Sequence, residues 1–255
     1  MNAASEARGL FVTATDTGAG KTFVSCALAL ALRALGRDVG VMKPVATGCR
    51  RLADGTLVSA DAEALVAAAG ASDPSGLVTP AAFEAPLAPT AAAAREGRGG
   101  ADVAQILAAY AELLRRHETM IVEGIGGLLV PLAGRYTVRD LARDMACPVL
   151  IVSFNRLGTI SHTALTVESA RAAGLDVRGV VLNSPPGLGA DESSQTNAEE
   201  IERLVNVRVL ARLGTLEDAA AAARLPVRAV ARTQTGTFDE EVVAVLFGPS
   251  RRAPT

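Results

Sequence analysis

A glycine-rich stretch near the N-terminus constrains the fold of this chain more than any other feature. It reads Thr13-Ala-Thr-Asp-Thr-Gly-Ala-Gly-Lys-Thr22, follows the apolar run 10–12 and precedes the apolar-rich segment 23–35. This order predicts a strand, a tight loop and a helix, the arrangement of a phosphate loop. Backbone N–H groups of such a loop cradle phosphate, Lys21 reaches the outer phosphates, and the Thr22 hydroxyl contacts Mg²⁺. The loop is a variant, because Thr15 occupies the place of the signature's first glycine.

Short apolar runs alternate with helical patterns along the rest of the chain. The predicted strands are 10–12, 39–43, 119–123, 148–153, 177–182 and 207–213, and the predicted helices are 23–35, 59–66, 102–117, 157–174, 196–204, 216–224 and 239–247. This alternation predicts an α/β fold, a doubly wound and mostly parallel sheet with helices on both faces, P-loop NTPase-like. Loops are expected at 45–56 and 70–89, the second being a candidate wall of a substrate site. Without a repeat or a linker, 1–255 is predicted to be a single domain whose tail, 225–255, is unassigned.

Composition argues against several classes of partner. The 255 residues are 49% hydrophobic and 3% aromatic, and their net charge is -2, which disfavours both a base-stacking platform and attraction to nucleic acid or anionic membranes. Cys26, Cys49 and Cys147 are scattered, so neither a disulfide framework nor a zinc site is expected. Segment 1–8 carries Glu6 and lacks the apolar core of a signal peptide, and no segment approaches the ~20 apolar residues of a membrane span. We therefore expect a cytoplasmic protein with no nucleic-acid and no membrane partner.

The polar residues of greatest interest follow predicted strands, where ligands bind in parallel sheets. Lys21 and Lys43 follow different strands, and two ammonium groups in one crevice suit triphosphate and a transferring phosphoryl group. Glu123 ends an apolar run, and Mg²⁺ commonly takes one or two carboxylates together with nucleotide phosphates. Asp61 is a second candidate ligand, but the sequence is equally compatible with a helix N-cap at this position. Asp16 could instead stabilise its own loop.

The two histidines do not form a recognisable catalytic arrangement with a nucleophile. His117 follows Arg116 at the end of a predicted helix and is most simply interpreted as a surface residue. His162 lies in the first turn of another predicted helix and is expected to hydrogen-bond locally. Phosphoryl transfer depends on positioning and electrostatics more than on a protein nucleophile, so this absence is compatible with it.

Several motifs occur in an order that resembles the dethiobiotin synthetase family over roughly 11–216. Besides the phosphate loop they are Lys43-Pro-Val-Ala-Thr-Gly48, Ser59-Ala-Asp-Ala62, Phe83-Glu-Ala-Pro-Leu-Ala-Pro89, Val122-Glu-Gly-Ile-Gly-Gly-Leu128, Leu157-Gly-Thr-Ile-Ser-His-Thr-Ala-Leu-Thr166 and Gly179-Val-Val-Leu-Asn183. The resemblance implies an ATP-dependent cyclo-ligase of biotin biosynthesis, a homodimer that binds MgATP, CO2 and 7,8-diaminononanoate. One amine captures CO2 as a carbamate, ATP phosphorylates it, and the other amine closes the ureido ring.

The resemblance also implies roles for individual residues. Lys43 and Lys21 would be catalytic, and Thr22, Asp61 and Glu123 would hold Mg²⁺. The ATP site would comprise Gly18, Ala19, Gly20, Lys21, Thr22, Phe23, Asp61, Glu123, Gly124, Ile125, Gly126, Asn183 and Ser184, with Asn183 contacting adenine. The substrate would contact Thr17, Thr47, Gly126 and Ser161, the last from the other subunit. An alkyl amine with a Lys-like pKa near ~10.4 is protonated in water, and nearby Lys21, Lys43 and Mg²⁺ would disfavour that proton.

The chain departs from the family pattern at four positions. Ala14 replaces a usual glycine, Ser161 a frequent Asn, Arg156 a common Lys and Leu216 a usual Pro. Leu216 lies in the segment 216–218, which would contact adenine or ribose.

Two other classes share the predicted sheet. Switch ATPases of the partition or septum type carry an additional lysine five residues before the lysine of the motif, where this chain has Asp16, and no basic membrane-targeting helix ends this chain. Amidotransferase-type relatives add a glutaminase domain with a nucleophilic cysteine, for which this length leaves no room. The ligase is the preferred hypothesis.

Overall fold

The computed structural model describes residues 8–185, 192–213, 238 and 240–247. The strands are β1 (Gly9–Ala14), β2 (Val39–Met42), β3 (Val45–Ala46), β4 (Arg50–Arg51), β5 (Leu57–Val58), β6 (Ala81–Ala82), β7 (Thr119–Gly127), β8 (Pro131–Ala133), β9 (Tyr136–Thr137), β10 (Val149–Phe154), β11 (Val177–Asn183) and β12 (Val209–Leu213). The helices are α1 (Lys21–Ala34), α2 (Ala60–Ala69), α3 (Ser75–Val78), α4 (Pro89–Arg95), α5 (Val103–Arg116), α6 (Val138–Asp144), α7 (Thr159–Ala172), α8 (Asn197–Val205) and α9 (Glu240–Phe247). A 3₁₀ turn occupies Glu192–Gln195.

Six of these strands form one sheet in the order β12-β11-β10-β1-β7-β2, and all five pairings are parallel. The predicted doubly wound sheet is therefore confirmed. From β1 the chain builds one half of the sheet through β2 and β7, and then crosses to build the other half from β10 to β12. The strand order thus reverses between β1 and β10. A crevice opens at such a point beyond the carboxyl ends of the strands, which is where the phosphate loop leaves β1.

Side chains alternate between the two faces of the sheet, and each face is covered by helices. In β1, Leu10 and Val12 join a cluster with residues of α1, α2 and α9, whereas Phe11 joins a cluster with residues of α5, α6, α7 and α8. All three side chains are fully buried. Burial of one such side chain contributes about 1.5–3 kcal/mol, so two-sided coverage explains why the strands are apolar throughout.

Helix α5 illustrates how the sequence pattern produces its element. The Asp102 carboxylate caps the helix by accepting a hydrogen bond from the backbone N–H of Gln105 at 3.0 Å. Ile106, Tyr110 and Leu113 form the buried stripe, as their spacing predicts. The predicted segment 102–117 agrees with the structure to within its caps.

The predicted loops contain short elements that the sequence interpretation missed. Segment 45–56 includes β3 and β4, and β4 pairs with β5 as an antiparallel hairpin. Segment 70–89 includes α3 and β6, and β6 pairs with β3. Strands of two residues are too short to show an alternating pattern. The predicted helix 239–247 is confirmed from Glu240 onwards, whereas the predicted helix 216–224 lies outside the described residues.

Among the described residues, every helix is too short or too polar to cross a bilayer.

Candidate active site

The phosphate loop connects β1 to α1 through two left-handed glycines. Gly18 has a φ of 80° and Gly20 a φ of 97°, conformations that L side chains rarely adopt. Gly20 is also the N-cap of α1, and no side chain caps this helix, so N–H groups of its first turn remain available to an anion. The Asn183 amide, at the end of β11, donates to the Ala19 carbonyl at 2.8 Å. A Cβ at position 20 would lie 2.0 Å from that amide nitrogen, so the loop and Asn183 require glycine here.

Four side chains from four elements meet beside the loop. Lys43, just after β2, places its Nζ 2.5 Å from Glu123 Oε1 and 2.8 Å from Asp61 Oδ2. The Thr22 hydroxyl lies 2.9 Å from Glu123 Oε1 and 3.0 Å from Asp61 Oδ1. A hydroxyl has a single proton, so Thr22 donates to one carboxylate at a time. The structure therefore brings together the predicted lysine and all three predicted Mg²⁺ ligands.

The pKa values of the two lysines of the site shift in opposite directions, because neighbouring carboxylates outweigh burial at Lys43 but not at Lys21. Burial by itself lowers the pKa of Lys43, but the adjacent Glu123 and Asp61 outweigh it, and the net pKa lies above its ordinary value. Burial also lowers the pKa of Lys21, the nearby Lys43 charge adds to this, and the result is about 8. Burial raises the pKa of Asp61, but the adjacent Lys43 outweighs it, and the net pKa lies below its ordinary value. Lys43 is thus a fixed cation, whereas Lys21 titrates close to physiological pH.

The chemistry of this cluster fits a magnesium ion. Glu123 is fully buried, and its Oε2 has no hydrogen-bond partner among the described residues. Burying a polar atom without a partner is costly, and a cation would remove that cost. Carboxylate and hydroxyl oxygens are ligands of the hard kind that Mg²⁺ accepts, with phosphate and water completing the shell. The part of the chain described here holds no group of three or more His, Cys, Asp or Glu arranged around a metal, and a phosphate-completed site requires none.

The structure distinguishes between the alternative roles considered for Asp61 and Asp16. Helix α2 is capped by the Ser59 hydroxyl, which accepts from the Ala62 N–H at 3.4 Å, so the N-cap alternative for Asp61 is wrong. Asp61 lies in the first turn and points to Lys43. Asp16 Oδ1 accepts a hydrogen bond from the N–H of Thr17 at 2.7 Å, in agreement with a local role in the loop.

A groove of about 460 Å³ runs beside the phosphate loop, and we call it the substrate groove. One wall is the loop segment 14–17, and the other is the helix α7 residues Leu165, Thr166 and Ser169. The segment after β7 closes the groove with apolar side chains, among them the exposed Leu129. Its lining is thus largely apolar with polar groups near the loop, which suits a ligand with an alkyl chain.

The structure also describes three other predicted substrate contacts, Ser161, Gly126 and Thr47, and the predicted ATP contact Ser184. Ser161 is exposed in the first turn of α7, whose N-cap Gly158 has a φ of 92° and provides no side-chain cap. Gly126 has a φ of 57°, and a Cβ there would lie 2.7 Å from Val130 Cγ2. Thr47 is half-buried just after β3. Ser184 follows β11, and its backbone N–H donates to the Leu213 carbonyl at 3.0 Å.

The remaining predicted ATP contacts and two of the departures are also described. Phe23 is half-buried on α1, and Gly124 and Ile125 continue β7 beyond Glu123. Strand β7 is therefore longer than predicted. Ala14 ends β1 in extended backbone, which needs no glycine, and the Arg156 guanidinium lies 4.5 Å from the centre of the Phe154 ring. Leu216 and the segment 216–218 lie outside the described residues.

The loop expected to form a substrate wall has a different neighbourhood. Residues of 70–89 line a separate cavity of about 510 Å³ against α2, which shares no lining residue with the substrate groove. The Val78 carbonyl accepts from the backbone N–H of Lys43 at 2.8 Å. This segment therefore supports the backbone that carries Lys43.

Two residues outside the predicted set also shape the molecule. His117 is not a simple surface residue: Nδ1 lies 3.0 Å from Asp38, and Nε2 lies 2.8 Å from Asp73. Burial lowers the pKa of His117, but the two aspartates outweigh it and the net shift is upward. Asn197 is buried and donates to Asn155 Oδ1 at 3.0 Å, which fixes the start of α8 beside β10. Sequence reasoning missed both pairings, because their partners are distant along the chain.

Comparison with known proteins gives consistent matches. A family described as AAA domain matches residues 8–223. ATP-dependent dethiobiotin synthetase BioD of Anaeromyxobacter dehalogenans (strain 2CP-C) is 48% identical over 217 residues, covering 85% of this chain and 94% of the relative. The Bacillus velezensis protein of the same name is 43% identical, covering 80% and 84%. Among solved structures, the MinC:MinD cell division protein complex of Aquifex aeolicus aligns with a TM-score of 0.51 at 13% identity, covering 84% of this chain and 83% of that one. This last likeness concerns the fold alone.

Proposed function

The chain belongs to the dethiobiotin synthetase family, ATP-dependent ligases of biotin biosynthesis, and we propose that it carboxylates and cyclises 7,8-diaminononanoate with CO2. In the first step one amine nitrogen bonds to the CO2 carbon and loses a proton. A carbamate oxygen then takes the γ-phosphoryl group, and ADP leaves. Finally the second amine attacks the carbamate carbon and loses a proton, the bond between that carbon and the phosphate oxygen breaks, phosphate leaves, and the ureido ring closes.

The observation that carries this proposal is the buried cluster of Lys43 with Glu123 and Asp61 beside the phosphate loop. Lys43 is held by charge pairing and has a raised pKa, so it stays cationic while negative charge develops on a transferring phosphoryl group. Lys21, at the first position of α1, would reach the outer phosphates. Its pKa of about 8 rises again when phosphate binds, since an adjacent anion favours the charged form.

We assign Thr22, Asp61 and Glu123 as the residues that would hold Mg²⁺. The orphaned Glu123 Oε2 supports this assignment, as does the oxygen-only donor set. The ion would neutralise negative charge on the nucleotide phosphates. Because Lys43 also contacts both carboxylates, the lysine and the ion would share the same negative charge.

The nucleotide would lie along the phosphate loop from Gly18 to Phe23, with its base near Asn183 and Ser184. The Asn183 amide already donates to the Ala19 carbonyl, so this residue would support the loop as well as contact adenine. Gly124, Ile125 and Gly126 would line the phosphate side at the end of β7.

The diamine would occupy the substrate groove, whose apolar lining suits its alkyl chain. Thr17, Thr47 and Gly126 would contact it near the phosphate loop. Ser161, in the uncapped first turn of α7, would bind its carboxylate from the other subunit of a homodimer. Exposed leucines on this side of the protein support a dimer there: Leu129 is 59% exposed, Leu157 79% and Leu165 61%. The predicted single domain and the cytoplasmic location stay predictions.

Omission of single components from the reaction tests the proposal. ADP release is expected to require the diamine and bicarbonate together, because ATP has no phosphoryl acceptor until the carbamate forms. The same assay with Mg²⁺ chelated is expected to show no release. Rapid ADP release without the diamine would refute the proposed reaction, as would stimulation by DNA or lipid in its place.

A further inference from the structure

Four hydroxyl groups form a buried chain between the phosphate loop and α7. Thr15 Oγ1 lies 3.0 Å from Ser153 Oγ, Ser153 Oγ lies 2.7 Å from Thr159 Oγ1, and Thr163 Oγ1 donates to Ser153 Oγ at 3.1 Å. Ser153 is 1% exposed, Thr159 2% and Thr163 0%. Thr15 is half-buried and lines the substrate groove. Ser153 is thus the only one of the four that touches the other three.

The Ser153 hydroxyl uses its full hydrogen-bonding capacity in this network of four hydroxyls. A hydroxyl has one proton and two acceptor positions, and Thr163 takes one of the acceptor positions. The proton and the other acceptor position are left for Thr15 and Thr159. Only two proton orders satisfy this arrangement: Thr15 donates to Ser153 while Ser153 donates to Thr159, or both bonds run the opposite way.

The two orders give Thr15 opposite properties at the groove. When Thr15 donates to Ser153, only its acceptor positions remain for a ligand, which suits an ammonium group. When Ser153 donates to Thr15, the Thr15 proton is available to a carbamate or phosphate oxygen. At the other end, Thr159 is the first residue of α7 and precedes Ser161 in the same turn. A change in the hydrogen bonding of Thr15 at the phosphate loop therefore changes the hydrogen bonding of Thr159 on α7, because both hydroxyls bond to Ser153 Oγ.

We propose that Ser153 is a positioning residue that couples occupancy of the phosphate loop to ligand affinity at the first turn of α7, through Thr15 and Thr159. This inference rests on the proposed function, which assigns the diamine carboxylate to that turn. Ser153 touches neither ligand in this arrangement, and its effect is on how strongly one site responds to the other.

Affinity measurements on wild type and two variants test the coupling. The dissociation constant of 7,8-diaminononanoate is measured by calorimetry, with and without a saturating non-hydrolysable ATP analogue and Mg²⁺. For wild type the two values are expected to differ. Ser153→Ala is expected to shrink their ratio by about three- to tenfold, the worth of one hydrogen bond, while the value without nucleotide changes little. Thr13→Val serves as the matched control, since it removes an equally buried hydroxyl of the same sheet that has no hydrogen-bond partner among the described residues, and it is expected to keep the wild-type ratio.

A general packing role for Ser153 would lower the thermal stability of Ser153→Ala and leave the ratio intact. A wild-type ratio of one would overturn the coupling, and so would a Ser153→Ala variant with the wild-type ratio or a Thr13→Val variant that loses it. These outcomes concern affinity ratios alone, so the proposed reaction, which is tested by diamine-dependent ADP release, would stand after any of them. Absence of both diamine binding and diamine-dependent release in wild type would overturn the proposed function and the coupling together.

Discussion

Replacement of Lys43 by Met is expected to destabilise the protein by about 3–5 kcal/mol, because it leaves a buried carboxylate without its cation. Two carboxylates lose a partner, but they do not contribute equally. The Asp61 side chain is 47% exposed, so water replaces its partner and the loss of this pair costs about 0–1 kcal/mol. Glu123 is fully buried, so water cannot replace its partner. The Thr22 hydroxyl still reaches Glu123, so the lower part of the range is expected. For a chain of this size the loss corresponds to a Tm decrease of roughly 10 °C.

Two further variants separate the charge from the packing. Lys43→Met combined with Glu123→Gln removes both charges and is expected to return within about 1–2 kcal/mol of wild type. Arg51→Met is the surface control, since Arg51 also lies 2.8 Å from its partner, Glu84, but both side chains are about half exposed. It is expected to leave the urea midpoint close to that of wild type, because solvent screens an exposed pair. Urea unfolding followed by far-UV circular dichroism suits a chain without Trp. Equal losses for Lys43→Met and Arg51→Met would refute the argument from burial.

The same variant tests the magnesium assignment and the catalytic role. Mg²⁺ is expected to stabilise Lys43→Met more than wild type, because Lys43 no longer competes for Glu123 and Asp61. Under conditions where the folded form predominates, the related Lys43→Ala variant is expected to lose turnover while it largely keeps nucleotide binding. No greater stabilisation by Mg²⁺ than in wild type would argue against a shared carboxylate site. Wild-type-like turnover would remove Lys43 from the mechanism.

Three other outcomes follow from the geometry. ATP affinity, measured by calorimetry, is expected to fall by up to about tenfold between pH 7 and 9, because Lys21 has a pKa of about 8 and loses its proton in this range. The affinity of Lys21→Arg should change little with pH, because arginine stays charged. The stabilising contribution of His117 is present in full below its unfolded pKa of about 6.5 and is lost as pH rises through its raised folded value, so His117→Gln should flatten the fall in urea midpoint above that pH. Gly20→Ala is expected to weaken ATP binding roughly tenfold or more through strain and the clash with Asn183, and unchanged affinity would contradict the assigned loop geometry.

The fold could be predicted because its signal is local and repeated. Strands such as β10 are apolar throughout, and helices such as α5 carry a cap and a buried stripe. Each element can therefore be predicted from its own residues. What the sequence could not show is pairing at long range. Strands β3 and β6 are two residues each and exist only because Val45 lies opposite Ala81, 36 positions later in the chain. The same limitation explains why the interpretation of His117 as a helix-end surface residue placed it correctly at the end of α5 but missed its partners, since Asp38 and Asp73 belong to other segments.

The site could be assembled in part from one rule, that ligands lie beyond the carboxyl ends of parallel strands. This rule correctly grouped Lys21, Lys43 and Glu123, which lie after β1, after β2 and within β7, three neighbouring strands of the sheet. It did not reveal that Lys43 is bound to the carboxylates, because distances of 2.5–2.8 Å depend on side-chain geometry. Nor did it find Ser153, which reads as an ordinary small residue in a buried strand until its three hydroxyl neighbours are known.

The comparison with the MinC:MinD complex shows why the fold alone does not decide the chemistry. The two structures align over most of their length at 13% identity, so the overall fold is common to them. The switch ATPases considered from sequence carry a lysine at the position of Asp16, where a cation can reach phosphate. Here the position is an exposed carboxylate whose oxygen is bound to the adjacent backbone. Under the proposed function a second cation for the phosphates would come from another element, and Lys43 after β2, paired with Glu123 and Asp61, is the candidate. The residues at the strand ends therefore favour a transfer reaction on this shared fold.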